Sequence, residues 1–278
     1  MKFALIDGLK IEAYKGAEGV CQSCGAELIS KCGEFKINHW AHKKKHQCDT
    51  WWENETEWHR KWKGKFPVEW QEITHYDKTT NEKHIADVRT ENGLIIEFQH
   101  SNINPDERRI RENFYKNMIW VVDGTRLKRD YPRFLKGKLN EFENTIFYKT
   151  DNPKIFQIDL VDWCFPVNWI QSSVPVIFDY LGDGTLEDTY NLRNNLYCLF
   201  PQIGRLRFVA EFSRETFIKA IKKGDWAFRV KQFLNHLVEQ NTIIAQREKL
   251  ELEKRKAINR AEFNKKLMTK RFRRSRRF

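Results

Sequence analysis

The stretch His84-Ile-Ala-Asp-Val-Arg-Thr-Glu-Asn-Gly-Leu-Ile-Ile-Glu-Phe-Gln99 decides the reading of this chain. Residues 84–90 and 94–99 are two runs of strand length, and Glu91-Asn92-Gly93 between them is a hairpin turn signal. Asp87 lies in the first run and Glu97 in the second, ten residues later. Strand alternation sets Glu97 and Gln99 on one face, with Leu94, Ile96 and Phe98 on the other. Two carboxylates on neighbouring strands make a hard-oxygen site suited to Mg²⁺ or Mn²⁺. Such an ion can activate water against a phosphodiester. Polar residues on the wet face of a sheet are the plainer alternative at this point.

The flanking sequence extends the pattern. Residues 68–74 read as a further strand. In 51–63, Trp51, Trp58 and Trp62 fall on one helical stripe, ended by Gly64 and Pro67. Glu55, His59 and Lys63 recur every four residues on a face bordering that stripe. Glu57 falls opposite with Glu53 and Arg60, so Glu55 is preferred as the site residue. Downstream, Pro105 opens a charged helix running to Asn117. Glu107, Arg111 and Tyr115 share a face of it, and arginine suits bidentate phosphate contact. Residues 118–123, Met-Ile-Trp-Val-Val-Asp, read as a buried strand. Helix, three strands, helix, strand is the order of an α/β sandwich on a mixed sheet.

Upstream stands a different chemistry. Cys21-Gln-Ser-Cys24 and His39-Trp-Ala-His42 offer two thiolates and two imidazoles, a donor set for structural Zn²⁺. Cys32, His46 and Cys48 compete for ligand duty. Short alternating runs at 2–14 and 27–37 supply small strands around the knuckle. Cys164 and Cys198, among apolar neighbours, read as core thiols. Metal-type cysteine spacing behind an N-terminus with no apolar signal core points to the cytoplasm.

A chain of 278 residues can bury a large core, and 14% aromatic residues argue against disorder. No apolar run is long enough to span a membrane. The net charge is +12, yet residues 247–278 hold 14 Lys/Arg against 4 Asp/Glu. A basic end of this kind expects a polyanion, nucleic acid first. Residues 125–152 read as a charged connector. Residues 153–246 read as a second packed α+β unit with no chemical motif, and the chain from about Asn241 as one long helix. Ile258, Phe263 and Leu267 give that helix a modest apolar stripe for a homodimer or a protein partner.

Taken in order, Cys21-x2-Cys24 with His39-x2-His42, Glu55-x3-His59-x3-Lys63, His84-Ile-Ala-Asp87, Glu97-Phe-Gln99-His-Ser101 and Arg111-x3-Tyr115 form a series. It resembles the competence protein CoiA-like family, a branch of the PD-(D/E)xK nuclease superfamily, over roughly residues 15–130. The resemblance implies a restriction-endonuclease-like αβββαβ core behind an N-terminal zinc-binding module, and divalent-metal-dependent cleavage of DNA. It implies Asp87 and Glu97 as Mg²⁺ ligands, with Gln99 where the superfamily usually has lysine. Gln99 can neither act as a base nor supply charge. Lys63, on the neighbouring helix, is the residue whose facing would restore that charge.

The resulting expectation is a cytoplasmic, Mg²⁺-dependent DNA nuclease serving DNA uptake, recombination or phage defence. Glu55, Asp87, Glu97 and Gln99 form its catalytic set. His59, Lys63, Arg111 and Tyr115 bind substrate, and Cys21, Cys24, His39 and His42 hold Zn²⁺. The expected domains are a zinc module (1–48), a nuclease-like domain (49–135), an α+β domain (150–246) and a basic helix and tail (247–278). The alternative is a non-catalytic nucleic-acid-binding adaptor with a vestigial nuclease fold.

Overall fold

The computed structural model describes residues 1–34, 36–44, 48–77, 81–142, 146–148, 153–182, 184, 186, 188 and 191–275. They fall into two units, Met1–Phe228 and Arg229–Phe278.

The first unit opens with a small antiparallel sheet: β1 (Phe3–Ile6), β2 (Leu9–Glu12), β3 (Glu18–Val20), β4 (Glu27–Lys31) and β5 (His39–His42), in the order β2-β1-β3-β4-β5. Asp7 and Gly8 join β1 to β2 with φ of 50° and 79°, the left-handed pair that a tight two-residue hairpin requires. Ala4, Cys21, Leu28 and Trp40 close over one another as this sheet's core.

The expected core order follows: α1 (Glu57–Lys63), β6 (Gln71–Asp77), β7 (Glu82–Arg89), β8 (Ile95–Gln99), α2 (Pro105–Tyr115) and β9 (Met118–Asp123). Two expectations are corrected here. The helix expected over 51–63 starts at Glu57, because Thr56 caps it: its hydroxyl accepts from the His59 N–H, and His59 Nδ1 accepts from the Thr56 N–H. Trp51 therefore leaves the helical stripe and packs against His84, Phe114 and Tyr115. Val68–Trp70 forms a 3₁₀ turn behind Pro67, so the strand expected from 68 begins at Gln71.

Beyond β9 come α3 (Asp130–Glu141), β10 (Ile146–Tyr148), β11 (Lys154–Gln157), α4 (Val161–Cys164), α5 (Val167–Ile170), β12 (Val176–Asp179), β13 (Asn195–Leu199), β14 (Phe208–Ser213), α6 (Arg214–Lys223) and α7 (Trp226–Ser275). The stretch expected as a connector thus carries α3 and β10; its residues 143–145 and 149–152 lie outside the described residues. The segment expected as a separate α+β unit instead extends the same sheet. Its order is β10-β11-β14-β13-β12-β9-β8-β7-β6. β8–β9 and β9–β12 are parallel, and the other neighbours are antiparallel. Every residue of β8, β9 and β12 is buried, as central parallel strands covered on both faces demand. An all-buried strand carries no alternation to say which sheet it joins, so the break in motif content at residue 125 reads as a break in the fold.

The second unit is one continuous helical segment of α7, in which the helices expected near 225–240 and from 241 are merged. Ile258 and Phe263 are exposed on it, and the side chain of Leu267 lies outside the described residues. Among the described residues, no helix is long and apolar enough to cross a membrane.

Candidate active site and metal knuckle

The β7–β8 ladder pairs Val88 with Ile96 and Arg89 with Ile95. One residue further on, carboxylates replace the ladder: Asp87 N–H donates to Glu97 Oε1 at 3.2 Å, and Phe98 N–H donates to Asp87 Oδ2 at 3.0 Å. The two acids thus hold each other's strand where the pair separates. All eight residues expected in the site, Glu55, His59, Lys63, Asp87, Glu97, Gln99, Arg111 and Tyr115, line a single cavity there.

Two cations face its acids. Lys63 Nζ lies 2.5 Å from Glu55 Oε1, 3.0 Å from Glu72 Oε1 and 3.6 Å from Asp87 Oδ1. Burial alone would lower its pKa, but Glu72, Asp87 and Glu55 more than offset that and raise it. Arg111 stands 3.7 Å from Glu97 Oε2, donates to the Trp51 carbonyl at 3.1 Å and pairs with Glu107 one helical turn back. Glu97 is held well above the usual carboxylate range by burial and by the Asp87 charge, which Arg111 only partly counters. Burial likewise raises the Tyr115 phenol, with Glu97 adding to it. Burial lowers the His59 pKa. Since His59 Nδ1 accepts from Thr56, the neutral ring carries its proton on Nε2 and can donate to an anion.

Three further acids of this cavity escape the sequence reading. Asp49 accepts from the Ile85 and Trp51 N–H groups and pairs with His84. Glu53, placed on the far side by the assumed helix, instead accepts from the Gln99 amide. Glu72 bonds the N–H groups of Lys2 and Phe3, which fastens β1 to the cavity wall. Burial would push its carboxyl up, yet Lys63 and these donors bring it down to about 2. Glu72 sits at φ 49°, a backbone state that no side-chain pattern announces.

The knuckle gathers Cys21, Cys24, His42 and Cys48, whose ligand atoms all lie within 4.8 Å of one another. Cys21 Sγ–Cys48 Sγ is 3.8 Å and Cys24 Sγ–His42 Nε2 is 3.3 Å. Tetrahedral Zn²⁺, with Zn–S of about 2.3 Å and Zn–N of about 2.0 Å, has edges of about 3.5–3.8 Å. Burial and the neighbouring Cys21 push the Cys48 thiol up to about 12, a cost that a cation among the sulfurs relieves. This Cys₃His cluster can hold a metal such as zinc. His39 is corrected to Cys48 in the expected set. Residues 39 and 42 lie on strand β5, where a spacing of three points to opposite faces. His39 donates from Nδ1 to the Ile37 carbonyl instead. His46 lies outside the described residues.

Fold and site together define a nuclease-like α/β domain behind a Cys/His knuckle. Residues 9–50 match the family model described as competence protein CoiA, N-terminal domain, and residues 57–166 match competence protein CoiA, nuclease-like domain. These matches cover more than half of the chain, which belongs to the competence protein CoiA family. No curated protein and no solved structure matches it.

Proposed function

We propose that this chain is a divalent-metal-dependent nuclease acting on DNA. The observation that carries the reading is the meeting of Asp87, Glu97, Lys63 and Arg111 in one cavity of a nuclease-like domain. Hard carboxylate oxygens on adjoining strands fit Mg²⁺ or Mn²⁺. Asp87 and Glu97 would hold the ion, whose chemistry when bound is to acidify water and neutralise phosphodiester charge. Lys63 and Arg111 supply fixed positive charge to a phosphate. His59 donates from Nε2, and Glu55, hydrogen-bonded to Arg60 at 3.0 Å, accepts the proton of the attacking water. Gln99, tied to Glu53 and Ser101, orients without charge. The charge that Gln99 cannot supply comes from Lys63, 3.6 Å from Asp87. The word competence in the family's name supports a role around DNA uptake.

Gln99 in the place of lysine favours the alternative, an adaptor that binds nucleic acid without cutting it. Purified protein with linear, circular and single-stranded DNA and with RNA, in Mg²⁺ or EDTA, separates the two. Cleavage that needs Mg²⁺ and falls by about two orders of magnitude or more in Asp87→Ala and Glu97→Ala supports the nuclease. Binding with no cleavage at any metal concentration would leave the adaptor.

A further inference from the structure

Trp52 separates two tryptophan environments. Trp51 beside it is locked against His84, Phe114 and Tyr115. Trp52 is 47% exposed, and among the described residues no ring or cation lies against it. Its indole borders three adjoining spaces: the catalytic cavity, an apolar groove of about 540 Å³ beside Trp40 and Ile85, and a polar recess with Lys36 and His39. The groove far exceeds the about 30 Å³ share of one water. Lys44, exposed, lines the groove, and Lys36, also exposed, lines the recess on the other side of Trp52. An exposed indole, an apolar slot and nearby ammonium groups make a stacking platform beside a phosphate path. A base still in a duplex cannot present its face there.

We propose that Trp52 stacks on an unpaired base next to the phosphate held at Asp87 and Glu97, so that this groove takes a single polynucleotide strand. The proposal rests on the nuclease reading for the position of that phosphate; the stacking itself is read without cleavage. Lys36 and Lys44 take the backbone of the same strand across the knuckle, and the apolar lining excludes water behind the base.

The test is binding of a fluorescent single-stranded oligodeoxynucleotide and of a blunt duplex, at fixed salt with no Mg²⁺ or chelator added, by the wild type, Trp52→Ala and Trp52→Phe. Stacking of one base is worth about 1–3 kcal/mol, so Trp52→Ala should weaken single-strand binding by about 5- to 150-fold. Trp52→Phe should restore most of it, and duplex affinity should be the same for all three. An unlabelled single strand should also quench intrinsic fluorescence in the wild type more than in Trp52→Phe. Equal single-strand affinity for wild type and Trp52→Ala, or an equal loss on the duplex, overturns the platform. The Mg²⁺ cleavage assay is scored separately: no cleavage with Trp52-dependent binding sinks the nuclease and leaves the platform, and the reverse result does the opposite.

Discussion

The indole N–H of Trp62 donates to Asp179 Oδ2 at 2.9 Å. Trp58 donates to the same oxygen at 3.1 Å, and Oδ1 accepts from the Leu181 N–H and from Arg214. Asp179 ends β12, and the two tryptophans bracket His59 on the short helix that also presents Lys63. The C-terminal strands therefore hold the helix from which two residues of the cavity, His59 and Lys63, project.

Asp179→Asn should loosen that helix. Arg214 loses its buried counter-charge, and one indole N–H is left facing an amide. The expected loss is about 1–3 kcal/mol in denaturant unfolding, with cleavage reduced more than DNA binding. Unchanged stability and turnover would show that β12 does not position α1.

Glu97→Gln should abolish cleavage and yet raise stability at neutral pH when no Mg²⁺ is added. The folded-state pKa of Glu97 lies above its unfolded value, so the folded protein binds that proton more tightly. Its ionisation opposes folding increasingly as pH rises above the ordinary glutamate value of 4.5, until the raised pKa is passed. The amide removes that cost. A melting temperature below that of the wild type at pH 7 would contradict this account.

Lys63→Met should destabilise by about 3–5 kcal/mol, since it leaves buried Glu72 without its side-chain cation and Glu55 with Arg60 alone. Acid unfolding gives a second readout. The Glu72 pKa is depressed to about 2, so its contribution is full above 4.5 and fades as pH falls toward 2. In Lys63→Met that part of the acid sensitivity should shrink, as urea titrations between pH 7 and pH 2 would reveal.

One equivalent of zinc should copurify with the protein, be lost from Cys48→Ser and be kept by His39→Ala. Elemental analysis of fresh protein decides it. Zinc retained by Cys48→Ser and lost by His39→Ala would restore the ligand pair read from the sequence.

Removing residues 270–278 deletes Lys270, Arg271, Arg273, Arg274, Arg276 and Arg277 with no acid. If these cations bind phosphates, the salt dependence of duplex binding should flatten by up to about 0.9 for each phosphate no longer neutralised. The change should not depend on sequence. Identical slopes for full-length and shortened chains would place the tail off the DNA backbone.

Legibility in the sequence follows the physics of each element. Met118–Asp123 and the hairpin turn at Gly93 are readable because burial and turn chemistry act locally. Pro105 marks the start of α2 for the same reason. Four-residue and two-residue spacings are enough to find the cavity residues. Glu53 is lost when the Trp stripe is extended across the cap at Thr56. Glu72 and Asp49 are invisible: what they bond, the N–H groups of Lys2 and Ile85, is 70 and 36 residues away in the chain. His39 is favoured by a spacing that fits a helix, but the residues form a strand.

The central place of β9 has a consequence for synthesis. Its partner on one side, β8, is already made when it emerges, but β12 lies more than fifty residues further along. Until Val176–Asp179 leaves the ribosome, Met-Ile-Trp-Val-Val-Asp presents an unpaired and largely apolar edge to other chains. A fragment cut to the nuclease-type core alone would keep that edge permanently. Such a fragment is an aggregation template, and the activity of this family member is best sought in the full chain.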